Sequence, residues 1–210
     1  MPAFPLLRWR RKLRWLLGRG WSAQDFAARY ASGADAWGYR NSPRHIARAE
    51  FLIAALPAER FARALEVGCA QGFLSERLAG RVERLIACDI SAEAVAQARR
   101  ACRGLANAEF HVADIRAGFP GDAFDLCLFS DVLYYLSPRE IDAVLDEAAR
   151  RVPGGGWLAI VNEWREGAKG LTSPHYSFAR LDAADAWRRT DARRTPFGDA
   201  ELSLAIYRRV

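Results

Sequence analysis

The feature that most constrains the fold is a glycine-rich turn after a short apolar run, at residues 64–74 (ALEVGCAQGFL). The run ends near the acidic Glu66, small residues interrupt it, and an amphipathic pattern begins after Gly72. This order predicts a β-strand, a tight turn and the N-terminus of a helix. Gly68 and Gly72 permit positive φ and a close approach of the backbone to a ligand. We therefore expect a binding crevice at this turn.

The spacing of the small residues argues against a dinucleotide as the ligand. A dinucleotide fingerprint requires G-x-G-x-x-G after the strand. Here Ala70 stands in the place of the second glycine and Phe73 in the place of the third. The turn has the form E-x-G-x-x-x-G, from Glu66 to Gly72. A site for NAD is therefore not predicted.

Predicted strands and helices alternate beyond residue 60, which is typical of a parallel sheet covered by helices on both faces. Two further predicted strands, at residues 187–195 and 201–208, form a closing hairpin. We predict an α/β fold: a doubly wound, mostly parallel seven-stranded sheet with an antiparallel C-terminal hairpin and an N-terminal helical extension. The predicted units are a basic amphipathic arm at residues 1–20, a helical cap at 21–60 and a ligand-binding domain at 61–210.

The pattern weakens after residue 164. Glycines and the sequence Pro174-His175-Tyr176 predict a long loop there, which is typical of a lid or a binding segment. Residues 181–186 are predicted to form a short helix.

Acidic side chains follow two predicted strands of the sheet. Asp89 stands about 20 residues beyond the glycine turn, where a carboxylate accepts hydrogen bonds from ribose hydroxyls. The alternative is a helix cap, although Ser91 is available for that role. Asp114 can accept from the amine of an adenine held between Ile90 and Ile115, or it can cap a loop.

These residues share one edge of the predicted sheet. Ligands of open α/β sheets bind beyond the carboxyl ends of the strands, where the strand order reverses. Glu66, Gly68, Ser130 and Asp131 are predicted at that same edge. Trp37 and Tyr39, in a turn-rich segment before the first strand, either cover the ligand or serve as packing anchors.

The formal charge of +6 is confined to the N-terminal arm. Its first 20 residues contain no acid, and the rest of the chain is balanced, which does not support a nucleic-acid-binding surface. The arm docks on an anionic membrane or a partner, or it is a mobile or locally packed extension. Its basic residues are Arg8, Arg10, Arg11, Lys12, Arg14 and Arg19.

The cysteines and the apolar runs bear on the compartment. The four cysteines have no C-x-x-C spacing, so we expect buried, reduced thiols and a cytoplasmic protein, peripheral to a membrane if the arm docks there. No apolar run approaches the ~18 residues needed to span a bilayer, and the N-terminus does not have the pattern of a signal peptide.

Residues 60–162 resemble the class I S-adenosylmethionine-dependent methyltransferases. The resemblance rests on the E-x-G-x-x-x-G turn, Cys88-Asp89-Ile90, Ala113-Asp114-Ile115 and Pro153-Gly154-Gly155. Residues 35–39, 65–70 and 132–136 resemble more narrowly the nodulation protein S family, which N-methylates the free amine of a deacetylated chitooligosaccharide.

The resemblance implies S-adenosylmethionine as cofactor and S-adenosylhomocysteine as product. It implies contacts of the small residues of the turn with the methionine part, of Asp89 with the ribose, of Asp114 and Ile115 with the adenine, and of the Ser130 main chain with the methionine amine. Glu66 would support the turn. The predicted cofactor site comprises Trp37, Glu66, Gly68, Cys69, Ala70, Gly72, Phe73, Leu74, Asp89, Ile90, Asp114, Ile115, Ser130, Asp131 and Tyr135.

Methyl transfer from a sulfonium is an in-line displacement that requires no metal. The protein supplies alignment, worth about 7–11 kcal/mol, and removes the proton of the acceptor. The candidates for a base are Asp131, Glu163 and His175. For each of them, the alternative is a peripheral role rather than a catalytic one. Tyr134 and Tyr135 are candidate hydrogen-bonding or cation-embracing walls.

We therefore predict a methyltransferase acting on a small-molecule acceptor, an amine or hydroxyl of an amino sugar or related specialised metabolite. The alternative is a non-catalytic cofactor-binding module that docks on a membrane or a protein through the basic arm. A nucleic-acid methyltransferase is disfavoured, because the sequence has no Asn/Asp-Pro-Pro-Tyr/Phe base-flipping motif. No oligomeric state is predicted.

Overall fold

The computed structural model describes residues 13–14, 17–31, 35, 37–165 and 171–210. Most of the predicted basic arm and residues 166–170 of the predicted loop lie outside the described residues. Within the described ranges, no helix has both the length and the apolar character needed to cross a bilayer.

Seven strands in the described chain form one sheet with the order β3-β2-β1-β4-β5-β7-β6. All pairs among the first five strands are parallel, and β7 runs antiparallel to both β5 and β6. The predicted doubly wound sheet with a C-terminal hairpin is therefore confirmed. The strands are β1 (Phe61–Val67), β2 (Val82–Asp89), β3 (Ala108–Val112), β4 (Leu126–Ser130), β5 (Trp157–Trp164), β6 (Trp187–Phe197) and β7 (Ala200–Arg209).

Helices begin where the sequence supplies capping groups. Ser137 and Glu140 form a capping box ahead of a helix whose first residue is proline, and Ser91 Oγ accepts a hydrogen bond from Ala94 N. The helices are α1 (Ala23–Tyr30), α2 (Pro43–Ala55), α3 (Phe73–Leu78), α4 (Ala92–Ala101), α5 (Pro138–Arg151) and α6 (Pro174–Asp182), with 3-10 helices at Ala79–Arg81 and Leu133–Tyr135.

Both faces of the sheet are buried, and each has its own core. Successive residues of a strand point to opposite faces, so Ala64 and Leu128 join the core under α2, α3 and α4. Leu65 and Phe129 join the core under α5 and α6. Two buried faces explain why β4 reads as an unbroken apolar run rather than as an alternating one.

The region after β5 differs from the prediction. Strand β5 continues to Trp164, which pairs with Glu201 of β7. Helix α6 covers residues 174–182, so the predicted loop through residue 176 and the predicted helix at 181–186 are wrong. Pro174 is the first residue of this helix. Proline lacks a backbone N–H, but the N–H of the first helical residue has no partner within the helix in any case, so proline is tolerated there. Phe178 and Leu181 then bury one face of the helix.

Strand order places the crevice. Strand β1 lies between β2 and β4, so the chain leaves it first toward one edge of the sheet and later toward the other. The carboxyl ends of β1 and β4 therefore flank a point at which the order reverses, and ligands bind there in open α/β sheets.

Gly72→Ala is expected to lower the free energy of unfolding by about 1–3 kcal/mol. Gly72 has a φ of +79°, and a Cβ there would lie 2.6 Å from Cys102 Sγ. Gly80→Ala is the control, since its Cβ would meet no atom within 4 Å, and we expect a change within about 0.5 kcal/mol. Urea denaturation of the three proteins measures both. Equal losses in the two variants would contradict the steric explanation.

Candidate active site

A cavity of about 430 Å³ opens beyond the carboxyl ends of the central strands. Its floor is formed by the ends of β1, β2, β4 and β5, and its cover by α1 and by the segment that leads into α2. Eleven predicted site residues line it: Trp37, Gly68, Ala70, Asp89, Ile90, Asp114, Ile115, Ser130, Asp131, Tyr135 and Glu163.

The glycine turn is held in a left-handed conformation at alternate residues. Gly68, Ala70 and Gly72 have φ of 81°, 47° and 79°. Gly68 N and Cys69 N both donate to Cys88 O, at 2.8 and 2.9 Å. A Cβ on Gly68 would lie 2.2 Å from Val132 Cγ2. The turn therefore requires glycine at residue 68 for both its conformation and its packing.

Glu66 lies behind the turn and not in the cavity. It is 1% exposed, and it accepts a hydrogen bond of 2.6 Å from Ser75 Oγ of α3. Burial raises the pKa of Glu66 to about 7. Four other predicted residues are likewise absent from the lining, although they form or follow the turn: Cys69, Gly72, Phe73 and Leu74.

Asp89 lines the cavity at the end of β2. Its carboxylate accepts hydrogen bonds from Ala70 N at 3.1 Å and Ser91 N at 2.9 Å. Ser91 is the residue that caps α4, so the alternative role of Asp89 as the cap does not apply. Burial raises the pKa of Asp89 to about 6, although the backbone N–H groups that it accepts from act in the opposite direction.

Asp114 both lines the cavity and caps its own loop. It accepts from the backbone N–H of Arg116 at 3.1 Å and from Arg116 Nε at 2.7 Å. Burial by itself would raise the pKa of Asp114, but the hydrogen bonds from Arg116 hold it below its ordinary value. Arg116 also donates to Glu140 at 3.2 Å and to Trp21 O at 3.1 Å. One guanidinium thus joins the floor of the cavity to its cover.

Aromatic rings form the cover over this end of the cavity. Trp21 lies 5.4 Å from Phe26 and 4.7 Å from Tyr135, measured between ring centroids. Trp37 Nε1 donates to Tyr30 Oη at 2.9 Å. Trp37 therefore fits both of its predicted roles, since it lines the cavity and packs against other rings.

Two ion pairs lie at the opposite end, beyond β4 and β5. Arg48 of α2 pairs with Asp131, which adopts a φ of 55° and accepts from Glu163 N at 2.6 Å. Arg48 also donates to Ser130 Oγ at 3.1 Å. Arg44 pairs with Glu163 at 2.6 Å. Both carboxylates that the sequence offers as bases are therefore held by arginines of α2.

His175 is not part of this arrangement. It lies on the first turn of α6, where it is exposed and 3.4 Å from Arg194. It does not line the cavity. The geometry therefore does not support a role for His175 as the base.

Sequence reasoning missed the residues that α2 contributes. Arg44, His45 and Arg48 share one region of an amphipathic helix, and Arg44 and His45 line the cavity. The spacing of i and i+4 places Arg44 and Arg48 on one face. That spacing is the only local signal, because nothing in α2 itself indicates which strand ends it will meet.

Comparison with known proteins agrees with this architecture. A model of the methyltransferase domain family matches residues 64–156, which include the turn and the ends of β1, β2, β3 and β4. This part of the chain is therefore similar to a methyltransferase domain. The matched region supplies the part of the cavity floor formed by β1, β2 and β4, whereas β5, α1 and α2 lie outside the match.

The relatives of this chain include nodulation proteins. Nodulation protein S of Rhizobium tropici is 33% identical over 128 residues, which are 60% of this chain and 54% of that protein. Nodulation protein S of Sinorhizobium fredii is 40% identical over 73 residues, 35% of this chain and 34% of that protein. The aligned parts thus span about half or less of these curated relatives.

A solved structure shares the fold. The N-methyltransferase NodS of Bradyrhizobium japonicum WM9, in complex with S-adenosylhomocysteine, matches with a TM-score of 0.80 and 22% identity. The match covers 89% of this chain and 97% of that chain. It includes the seven-stranded sheet with its antiparallel C-terminal strands.

Glu66→Gln is expected to remove part of the pH dependence of stability. The pKa of Glu66 rises from 4.5 in the unfolded chain to about 7 on folding. The protonated form therefore favours the folded state, and this contribution is complete below 4.5 and lost as pH rises through about 7. Relative to that of the wild type, the free energy of unfolding of the variant should therefore rise by on the order of 2 kcal/mol between pH 5 and pH 8.

Parallel urea titrations of wild type and variant at the two pH values measure this difference. Ser75→Ala removes the hydrogen-bond donor and keeps the carboxyl, so it should retain the pH dependence. A constant difference between wild type and Glu66→Gln would show that Glu66 is ionised throughout.

Proposed function

We propose that the chain is an S-adenosylmethionine-dependent N-methyltransferase whose acceptor is the free amine of a small molecule, an amino sugar or a related specialised metabolite. The main support is that one cavity is lined both by the glycine turn with Asp89 and Asp114 and by a second, aromatic and acidic end. The curated relatives are nodulation S proteins, and the solved relative is an N-methyltransferase.

The turn end of the cavity fits the cofactor. Gly68 and Ala70 allow the backbone to approach the methionine part, Asp89 accepts from the ribose hydroxyls, and Asp114 and Ile115 meet the adenine. These residues all line one cavity, and Asp89 is already oriented by two backbone N–H groups. S-adenosylmethionine supplies, when bound, a methyl group already activated on a sulfonium.

The other end of the cavity fits the acceptor. Tyr134 and Trp164 lie 6.0 Å apart between ring centroids, and Tyr39 joins them in the lining. Aromatic faces pack against sugar rings and stabilise cations. The carboxylates of Asp131 and Glu163 attract an ammonium group to the same place.

Alignment is the main contribution of the protein, worth about 7–11 kcal/mol in well-oriented reactions. The acceptor amine must also lose a proton. Asp131 and Glu163 are candidates to receive it, because their ion pairs with Arg48 and Arg44 hold both carboxylates in place at this end of the cavity. A positioned base contributes roughly 10² to 10⁴ in rate.

Asp89→Asn is expected to weaken the binding of S-adenosylhomocysteine by about 10- to 100-fold at pH 7.5, because charge-assisted hydrogen bonds are worth about 1.5–3 kcal/mol each. The ribose hydroxyls donate to the ionised carboxylate. Wild-type affinity should therefore fall as pH is lowered through about 6, while the affinity of the variant should lack this step. Isothermal titration calorimetry between pH 5 and pH 8 measures both.

Glu83→Gln is the matched control, because Glu83 lies on the same strand with a side chain that is 64% exposed. It should bind like the wild type. If the folded wild type binds neither S-adenosylmethionine nor S-adenosylhomocysteine, the proposal is wrong as a whole.

Transfer of a labelled methyl group should occur to glucosamine oligomers with a free amine and not to their N-acetylated counterparts, because an amide nitrogen has no available lone pair. Mass spectrometry of the products identifies the methylated atom. O-methylation of both substrates would contradict the N-methyltransferase proposal. Cofactor binding without turnover of any amine would favour the non-catalytic module.

A further inference from the structure

His45 is the third residue of α2, and it lines the acceptor end of the cavity. Its ring is held on two sides by aromatic neighbours. The centroid of Tyr39 lies 5.0 Å away at an interplanar angle of 80°, and that of Phe197 lies 6.0 Å away at 61°. These contacts pack the ring on two sides.

The buried nitrogen of His45 determines the tautomer. Nδ1 is buried and has no hydrogen-bond partner among the described residues. A neutral imidazole carries one N–H and one lone pair, and orphaned buried N–H groups are rare. We therefore assign the lone pair to Nδ1 and the proton to Nε2, from the hydrogen-bonding environment. Because the ring lines the cavity with Nδ1 buried, its exposed edge carries Nε2.

The surroundings of His45 also oppose its protonation. Burial lowers the pKa of the imidazole, and the guanidinium groups of Arg48 and Arg44 lower it further. Glu163 and Asp131 act in the opposite direction, but each is paired with an arginine. An imidazolium would require a second N–H at buried Nδ1 beside the N-terminus of a helix, which disfavours positive charge.

We propose that His45 is a specificity-determining residue that remains neutral and donates its Nε2–H to an oxygen of the methyl acceptor, a hydroxyl or an amide carbonyl near the methylated amine. It does not act as the general base, since accepting a proton at Nε2 would require the N–H to stand at Nδ1. This inference rests on the proposed methyltransferase function. It adds to that function the requirement that the methyl acceptor carry an oxygen close to the methylated nitrogen, as an amino sugar does.

Kinetics of two substitutions separate a donor from a base. His45→Gln keeps an N–H donor, whereas His45→Phe keeps the ring volume and has none. We expect His45→Phe to lower kcat/KM for the acceptor by about 10- to 100-fold, mainly through KM, because the oxygen of the substrate loses its partner. His45→Gln should retain activity within about tenfold, and the pH profile of kcat should keep its shape in both variants.

The outcome that overturns the donor role is equally specific. If His45 is the base, His45→Gln will be as inactive as His45→Phe, and the acidic limb of the pH profile will disappear in both. His111→Gln, on β3 and outside the cavity, is the control and should behave as the wild type. Calorimetric binding of S-adenosylhomocysteine to each variant verifies that the fold and the cofactor end are intact.

A second measurement does not depend on turnover. The chain has three histidines, so ¹⁵N-edited NMR of the imidazoles gives three sets of signals, and the His45 set is assigned by its loss in His45→Gln. We expect the neutral Nε2–H tautomer between pH 7 and pH 8, because the pKa of His45 lies below its ordinary value. An Nδ1–H tautomer or an imidazolium at pH 7 would overturn the inference. If the wild type methylates no amine, the proposed function is contradicted, whereas the tautomer of His45 measured by NMR is unaffected.

Discussion

The contact between the glycine turn and the end of β2 organises this protein. Two N–H groups of the turn, from Gly68 and Cys69, donate to Cys88 O, and a third, from Ala70, donates to Asp89. These bonds fix the left-handed turn against the neighbouring strand and orient the carboxylate toward the cavity. A turn of this kind requires residues without a bulky side chain, which is why its composition is so restricted. The end of the cavity at the glycine turn is therefore largely preformed by the backbone.

The other end of the cavity is organised by charge. Arg48 is 6% exposed, and a buried guanidinium requires acceptors for its donors. Asp131 and Ser130 provide them for Nη2 at the end of β4, although buried Nε has no partner among the described residues. The second oxygen of Asp131 accepts from Glu163 N of β5. The ion pair therefore joins α2 to two strand ends. It also keeps Asp131 in an unfavourable backbone conformation that a non-glycine residue adopts only when its surroundings stabilise it.

The two ends differ in how they treat ionisable groups. At the turn, buried Glu66 and half-buried Asp89 accept hydrogen bonds but have no cationic partner among the described residues. Desolvation therefore raises their pKa values to about 7 and about 6. At the opposite end of the cavity, Asp131 and Glu163 each have an arginine partner. His45 lies among these pairs without one of its own among the described residues, and burial lowers the pKa of its imidazole. In the proposed function, a neutral imidazole donor beside ion-paired acids suits an acceptor that carries both an amine and oxygens.

Local sequence pattern is sufficient to predict the sheet, the glycine turn and the acidic residues at the turn end of the cavity. Apolar periodicity, capping residues and small residues act over a few positions, so the strands, the turn and the positions of Asp89 and Asp114 follow from local pattern. The start of α6 was missed because proline both ends and begins helices. Only the tertiary structure shows which residues form the end of the cavity opposite the glycine turn. Arg48 and Asp131 are 83 positions apart, and no local signal states that a helix preceding the sheet will bring its arginines and His45 to the ends of β4 and β5.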